Sequence, residues 1–182
     1  MSPSNSDNIL LMVSGSIAAY KSLILLSQLR QEGHEVKVAV TNSALKFIGQ
    51  ASFEGLSSNK VYADEYESGH LMDHIHLMNW ADKIILYPAS ANSINSFANG
   101  IVSNSLGSLF LAFDFKKPFF IAPAMNSKMW NHPSTKRSVK DLEAWGIKFI
   151  PPEDGQLACG EIGSGRLCSP ERTKDILLGL KR

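Results

Sequence analysis

"NILLMVSGSIAAYKSLILLSQLRQEGHEVKVAVT", residues 8–41, is the stretch on which the fold turns. It opens with a short apolar run closed by Ser14 and Gly15, the mark of a strand buried on both faces. From Ser16 onward the apolar residues Ile17, Tyr20, Ile24 and Leu25 recur at helical spacing. Gly33 is placed to end that helix. "EVKVAVT" then reads as a second strand. A strand, a helix and a strand in this order form the unit that joins parallel neighbours.

The chain outside this unit repeats the alternation. "NSALKFIG" reads as a helix start, "KIILYPAS" and "PFFIAPAM" as strands, and "STKRSVKDLEAWG" as a helix leading into a last strand, "KFIPP". "SPERTKDILLGLKR" closes the chain as a helix, with Ser169 as N-cap and Pro170 at the first helical position. The pattern predicts an α/β fold: a doubly wound parallel sheet with helices on both faces. The 182 residues suffice for one core, and no composition break marks a linker. Residues 1–182 are therefore expected to form a single domain.

Composition excludes several classes. Hydrophobic residues make up 44% and the net charge is +1, with no basic patch for nucleic acid. "MSPSNSDN" lacks the charged and apolar regions of a signal peptide, and no apolar run is long enough to span a bilayer. Two cysteines, Cys159 and Cys168, make no disulfide framework. A cytoplasmic protein without membrane contact is expected.

Ligands of such sheets bind beyond the carboxyl ends of the strands. The loops there are "SGSIAAYK", "YPASANS" and "APAMNSKMW". Gly15 and its flanking serines present backbone N–H groups where a helix begins, which suits a phosphate. Ser90, Asn92 and Ser93 offer the same. Helix capping explains each loop equally well, but three on one edge favour a phosphorylated cofactor. Asn126 either caps a short helix that Pro133 interrupts or ends, or binds a carboxylate, and spacing leaves both open. In "MDHIHLMNW", His74 shares a helix face with His70, a spacing that metal sites use. His76 points elsewhere and no carboxylate or cysteine completes a ligand set, so no metal is expected. "LACGEIGSGR", residues 157–166, is too rich in glycine for a helix or a strand and reads as a mobile loop, with Gly155, Gly160, Gly163 and Gly165 as hinges.

"GSIAAYK", "HIHLMNWAD", "PASANS", "PAMNSKMW" and "ACGEIGSGR", in this order, resemble the flavin-dependent cysteine decarboxylase family from Ile9 to Pro170. The resemblance implies a Rossmann-like flavoprotein fold and FMN as cofactor. Carried over by position, it assigns FMN to Gly15, Ser16, Ile17, Thr41, Ser43, Ser90, Ala91, Asn92, Ser93 and Ala124. It implies His74 as catalytic acid/base, Asn126 as the residue that holds the substrate carboxylate, and Cys159 as the reductive thiol. Ala158 and Gly160 flank that thiol as further substrate contacts. The partner is a small acylated cysteine. The chain is expected to form a homo-oligomer, a trimer or a multiple of trimers, with the flavin at a subunit interface.

The implied reaction is oxidative decarboxylation of 4'-phosphopantothenoylcysteine followed by reduction to 4'-phosphopantetheine, in coenzyme A biosynthesis. Two other uses of the family remain: a peptidyl-cysteine decarboxylase that releases an enethiol, and a regulatory flavoprotein. The first generally lacks the loop cysteine and the second has lost catalytic residues, so Cys159, His74 and Asn126 argue against both. Family members are often fused to a ligase domain, and this chain ends where that domain would start, so a stand-alone decarboxylase is expected. The sequence departs from the family at Ser93 (usually threonine), Ser103 (aspartate), Gly107 (threonine), Leu167 and Ser169. Cys168 lies outside the motifs and receives no role.

Overall fold

A computed structural model of the chain describes residues 6–63, 72–156, 160 and 162–180. Five strands build the central sheet: β1 (Asn8–Val13), β2 (Glu35–Val40), β3 (Lys83–Ala89), β4 (Phe119–Pro123) and β5 (Lys148–Phe149). They lie in the order β2-β1-β3-β4-β5, and every pairing is parallel. The helices are α1 (Tyr20–Gln31), α2 (Gln50–Ser57), α3 (Asp73–Trp80), α4 (Ala91–Ala98), α5 (Ser105–Leu111), α6 (Ser127–Trp130), α7 (Pro133–Ala144) and α8 (Pro170–Leu178).

Alternation along the strands divides the core into two layers. Ile9, Leu11, Val13, Val36, Val38 and Val40 pack with Leu25 and Leu29 of α1, Phe53 of α2 and Leu177 of α8. Leu10, Met12, Ile84 and Leu86 face the other way, against Ile94 and Phe97 of α4, Leu109 and Phe110 of α5 and Leu142 of α7. Both faces are covered, as near-continuous apolar strands require. The doubly wound fold is the one the alternation predicts.

Details differ. The first helix opens as a 3-10 turn at Ile17–Ala19 before α1 begins at Tyr20. Ile17, Tyr20 and Ile24 are 63%, 53% and 42% exposed, and the buried stripe runs instead through Ser22, Leu25, Leu26 and Leu29. The apolar spacing identified the helix but not its inner face. "NSALKFIG" makes a 3-10 turn, and helix α2 starts only at Gln50. Pro133 does not end a helix; it occupies the first turn of α7, behind His132 as N-cap. Ser169 and Pro170 open α8 as the sequence predicts, with the Ser169 hydroxyl accepting from the Arg172 N–H at 3.3 Å.

The largest correction concerns the glycine-rich stretch. Residues Ile162–Arg166 form a strand, β7, paired antiparallel with β6 (Glu153–Gln156). "KFIPP" is therefore not the last strand. Glycine gives no side chain to pack, but this strand has a use for that. A Cβ on Gly165 would run into the Met125 carbonyl, and one on Gly163 into the Ser127 hydroxyl. Gly165 also has φ +126°, a backbone that residues with a side chain rarely adopt. The hairpin is thus seated on the loop after β4, where Met125 N–H donates to Gly165 O at 3.0 Å and Ser127 Oγ to Ser164 O at 2.6 Å.

Candidate functional site

Four strands end on one edge of the sheet, and their loops carry the residues singled out in the sequence. After β1, Ser16 caps the 3-10 turn, its hydroxyl accepting from Ala18 N–H at 3.2 Å. After β2, Thr41 N–H donates to Val13 O at 3.1 Å, and its hydroxyl accepts from Ala44 N–H at 3.1 Å. Gly15 is required at the join, because a Cβ there would sit 2.6 Å from Ser43 Cβ. After β3, Ser90 caps α4, accepting from Ser93 N–H at 3.3 Å and sharing a hydrogen bond with the Ser93 hydroxyl at 3.1 Å. Asn92 is exposed in the first turn of α4, and Ala91 is buried. Ala124, after β4, is buried, and its N–H donates to Ala89 O at 2.9 Å.

Capping is therefore real at Ser16 and Ser90. It does not compete with a ligand: each cap fixes the start of a turn or helix and points its N–H groups outward at one edge. The structure brings Gly15, Ser16, Ile17, Thr41, Ser43, Ser90, Ala91, Asn92, Ser93 and Ala124 together on that edge.

Beside them lies a cavity of about 650 Å³, bounded by the first loop, the loop after β4 and the β6–β7 hairpin. Asn126 is on its wall as the N-cap of α6, with its side-chain oxygen accepting from Lys128 N–H at 2.7 Å. Ser16 and Ile17 line it too. Two cations, Lys21 and Arg166, join them, and no acidic side chain does among the described residues. Burial holds the Lys21 ammonium below the ordinary lysine range, and the Arg166 guanidinium adds to this. Lys21 Nζ is tied to Leu167 O at 3.4 Å. Neither cation was singled out in the sequence. The signal available was a lysine one turn into a helix whose first loop suits anions, and an arginine closing the "GSGR" run.

Not every sequence candidate meets the cavity. His74 is half-buried on α3 and does not line it. Its Nδ1 is buried without a hydrogen-bond partner among the described residues. Gly160 is exposed at φ +86°. His70, Ala158 and Cys159 lie outside the described residues. Cys168 is buried, and burial pushes its thiol up; the Tyr87 hydroxyl donates to its carbonyl at 2.8 Å. Gly107, one of the departures from the family pattern, has a structural reason. A Cβ there would come within 3.0 Å of Val102 Cα and 3.1 Å of Ile101 O, so the loop preceding α5 lies against the helix.

The family model described as Flavoprotein matches residues 2–180, and the chain belongs to this family. Solved structures similar to the chain include one described as an FMN-dependent cysteine decarboxylase, at 27% identity and a TM-score of 0.80. A probable phosphopantothenoylcysteine decarboxylase of Streptococcus mutans is 43% identical over 161 residues, covering 87% of this chain and 90% of the relative. The coenzyme A biosynthesis bifunctional protein of Bacillus subtilis is 45% identical over 169 residues, covering 92% of this chain. The chain spans 41% of that longer protein. Among solved structures, a cysteine-to-serine mutant of PPC decarboxylase complexed with pantothenoylaminoethenethiol superposes with a TM-score of 0.83 at 36% identity. It covers 94% of this chain and 96% of that one.

Proposed function

We propose that the chain is an FMN-dependent decarboxylase that converts 4'-phosphopantothenoylcysteine to 4'-phosphopantetheine in coenzyme A biosynthesis. One observation supports this most: a cavity with Asn126 and two cations on its wall, and no acidic side chain among the described residues that line it, adjoins a sheet edge whose loops suit a phosphate. The donor set fits FMN. Gly15, Ser16, Ile17, Thr41, Ser43, Ser90, Ala91, Asn92, Ser93 and Ala124 would hold it through hydroxyls, helix-start N–H groups and small side chains that admit close approach. When bound, FMN supplies the two-electron acceptor and later donor that a cysteine with an acylated nitrogen cannot obtain from Schiff-base chemistry.

The chain's own residues position the substrate and move its protons. Asn126 holds the carboxylate in a reactive orientation through its amide, whose oxygen is already fixed by the helix cap. His74 takes the proton of the substrate thiol as the Cβ–S bond is oxidised. CO2 then leaves from a carboxylate β to the C=S group, and its electron pair is carried to sulfur as an enethiolate. Cys159, with Ala158 and Gly160 beside it, gives the proton that completes reduction to the saturated thiol. Lys21 and Arg166 give the cavity the positive charge that an anionic substrate requires.

A trimer, or a multiple of trimers, with the cavity at a subunit boundary belongs to this reading. A histidine off the cavity wall of its own chain can then serve the cavity of a neighbour. Residues 1–182 act as one FMN-binding decarboxylase domain, in the cytoplasm. Among the described residues no helix is long and apolar enough to cross a membrane.

Anaerobic incubation with 4'-phosphopantothenoylcysteine tests the reading. The wild-type chain releases the saturated thiol and returns to oxidised flavin. Cys159→Ser stops at reduced flavin and a product two hydrogens lighter, because a hydroxyl is a far weaker acid than a thiol. A wild-type chain that releases only the enethiol is a peptidyl-cysteine decarboxylase instead. A preparation that takes up no FMN overturns both readings.

A further inference from the structure

Ser14 lies at the end of β1, just before the loop assigned to FMN, and has no part in the reaction described above. Its side chain is almost fully buried, at 1% exposure. The hydroxyl donates to Pro88 O at 2.9 Å and accepts from Ser90 N–H at 2.8 Å. Its backbone N–H donates to the same Pro88 carbonyl at 3.2 Å. One side chain therefore bridges the loops after β1 and β3.

The reason is in the ladder. Pairing of β1 with β3 runs through Met12 and Leu86. Two residues on, Pro88 accepts from the Ser14 N–H but has no N–H of its own to donate, so the backbone ladder is one donor short at the sheet edge. The β3–β4 register also shifts between Leu86 and Ala89. The Ser14 hydroxyl, both donor and acceptor, reinforces this weakened end of the ladder from the side chain. It extends the contact to Ser90, the residue that caps α4. Burial keeps water from substituting for it. The Ser16–Ile17 turn and the Ser90–Ser93 helix start are thereby held at one separation.

We propose that Ser14 is a positioning residue that sets the spacing of these two loops for the phosphate of FMN, and so gives the chain its preference for FMN over riboflavin. The inference rests on the FMN reading above. It assigns Ser14 no contact with the cofactor. Its effect passes through Ser90 and is specific to the phosphate end.

Binding of FMN and of riboflavin to the apoprotein, each followed by quenching of flavin fluorescence, tests it. For Ser14→Ala the FMN Kd rises about tenfold, the size of one lost buried hydrogen bond, while the riboflavin Kd stays where it was. Ser14→Thr, which keeps the hydroxyl, retains the wild-type ratio of the two. Should Ser14→Ala fail to fold, Ser14→Cys fills nearly the same space with a weakly bonding sulfur and loses the ratio in the same direction. An alanine or cysteine variant that keeps the wild-type ratio, or loses both affinities alike, overturns the proposal. A wild-type apoprotein that binds neither flavin overturns the FMN reading itself, and this inference with it.

Discussion

The carboxyl edge of the sheet and the β6–β7 hairpin border the same cavity, yet different forces hold them. The edge continues strands whose side chains are buried on both faces, and each of its loops is fixed by a cap or a carried-on ladder contact. The hairpin has two short strands, β6 alternating between half-buried and exposed positions and β7 burying only Gly165, too little to stand alone in water. It is held from outside: by the fit of Gly163 and Gly165 against Met125 and Ser127, and by the Glu153 carboxylate accepting from Ser169 N–H at 3.2 Å. The half of the site proposed to hold the cofactor is thus part of the core. The hairpin is docked onto it, and the two can be disturbed separately.

The largest effect is expected where neither region is altered. His74→Asn should leave FMN bound and slow flavin reduction by substrate by a factor of about 10² to 10⁴, the range for a lost acid/base group, read by anaerobic stopped flow. Near wild-type bleaching would remove the histidine from the mechanism.

The pair Gly15→Ala and Gly165→Ala sets one region against the other. Gly15→Ala drives a methyl group into Ser43 and should cost FMN retention with the hairpin intact. Gly165→Ala meets the Met125 carbonyl at a positive φ, and should loosen the hairpin by about 1–3 kcal/mol while FMN stays bound. Faster exchange of the Met125 amide, whose acceptor is Gly165 O, with a raised KM would report it. If both variants lose flavin equally, the two halves are one unit and the comparison fails.

Smaller effects follow. Asn126→Asp puts an anion beside the carboxylate site and should weaken substrate binding about tenfold while leaving FMN affinity unchanged, by titration of each. Full substrate affinity would leave Asn126 as a helix cap alone. Ser127→Ala removes the hydroxyl that donates to Ser164 O at 2.6 Å, and should destabilise the hairpin by about 1 kcal/mol, seen as faster amide exchange in β7 with an unchanged melting temperature.

What could be read in the sequence divides along the same line. Apolar runs such as Ile9–Val13 and the glycine at 33 carry periodic and positional signals, so the sheet and its edge loops were legible. The inner face of α1 was not. Spacing grouped Ile17, Tyr20 and Ile24 with Leu25, although only Leu25 meets the core. The hairpin escaped because its glycines answer to Met125 and Ser127, some 40 residues earlier in the chain, and local propensity holds no record of that contact. Lys21 and Arg166 escaped for a related reason. Each is an ordinary surface residue in its own segment, and they become a charged wall only once the hairpin is seated. Ser14 read as the end of a strand and a flank of the first loop, but not as a bridge, because its bridging partners lie on β3 and in the loop after it.

The sealing of Cys168 gives the chain a built-in clock for unfolding. Its thiol is shielded from solvent and its ionisation is suppressed by burial, so a thiolate-selective alkylating reagent added to the native protein has no route to it. Any native labelling is therefore a signal from Cys159, the chain's other cysteine, without mutagenesis. A second equivalent per chain appears only as the packing between Tyr87, Leu167 and α8 comes apart. The rate of that second uptake, measured against temperature, follows the opening of the layer that carries α1 and α8 and leaves the opposite layer out of the signal.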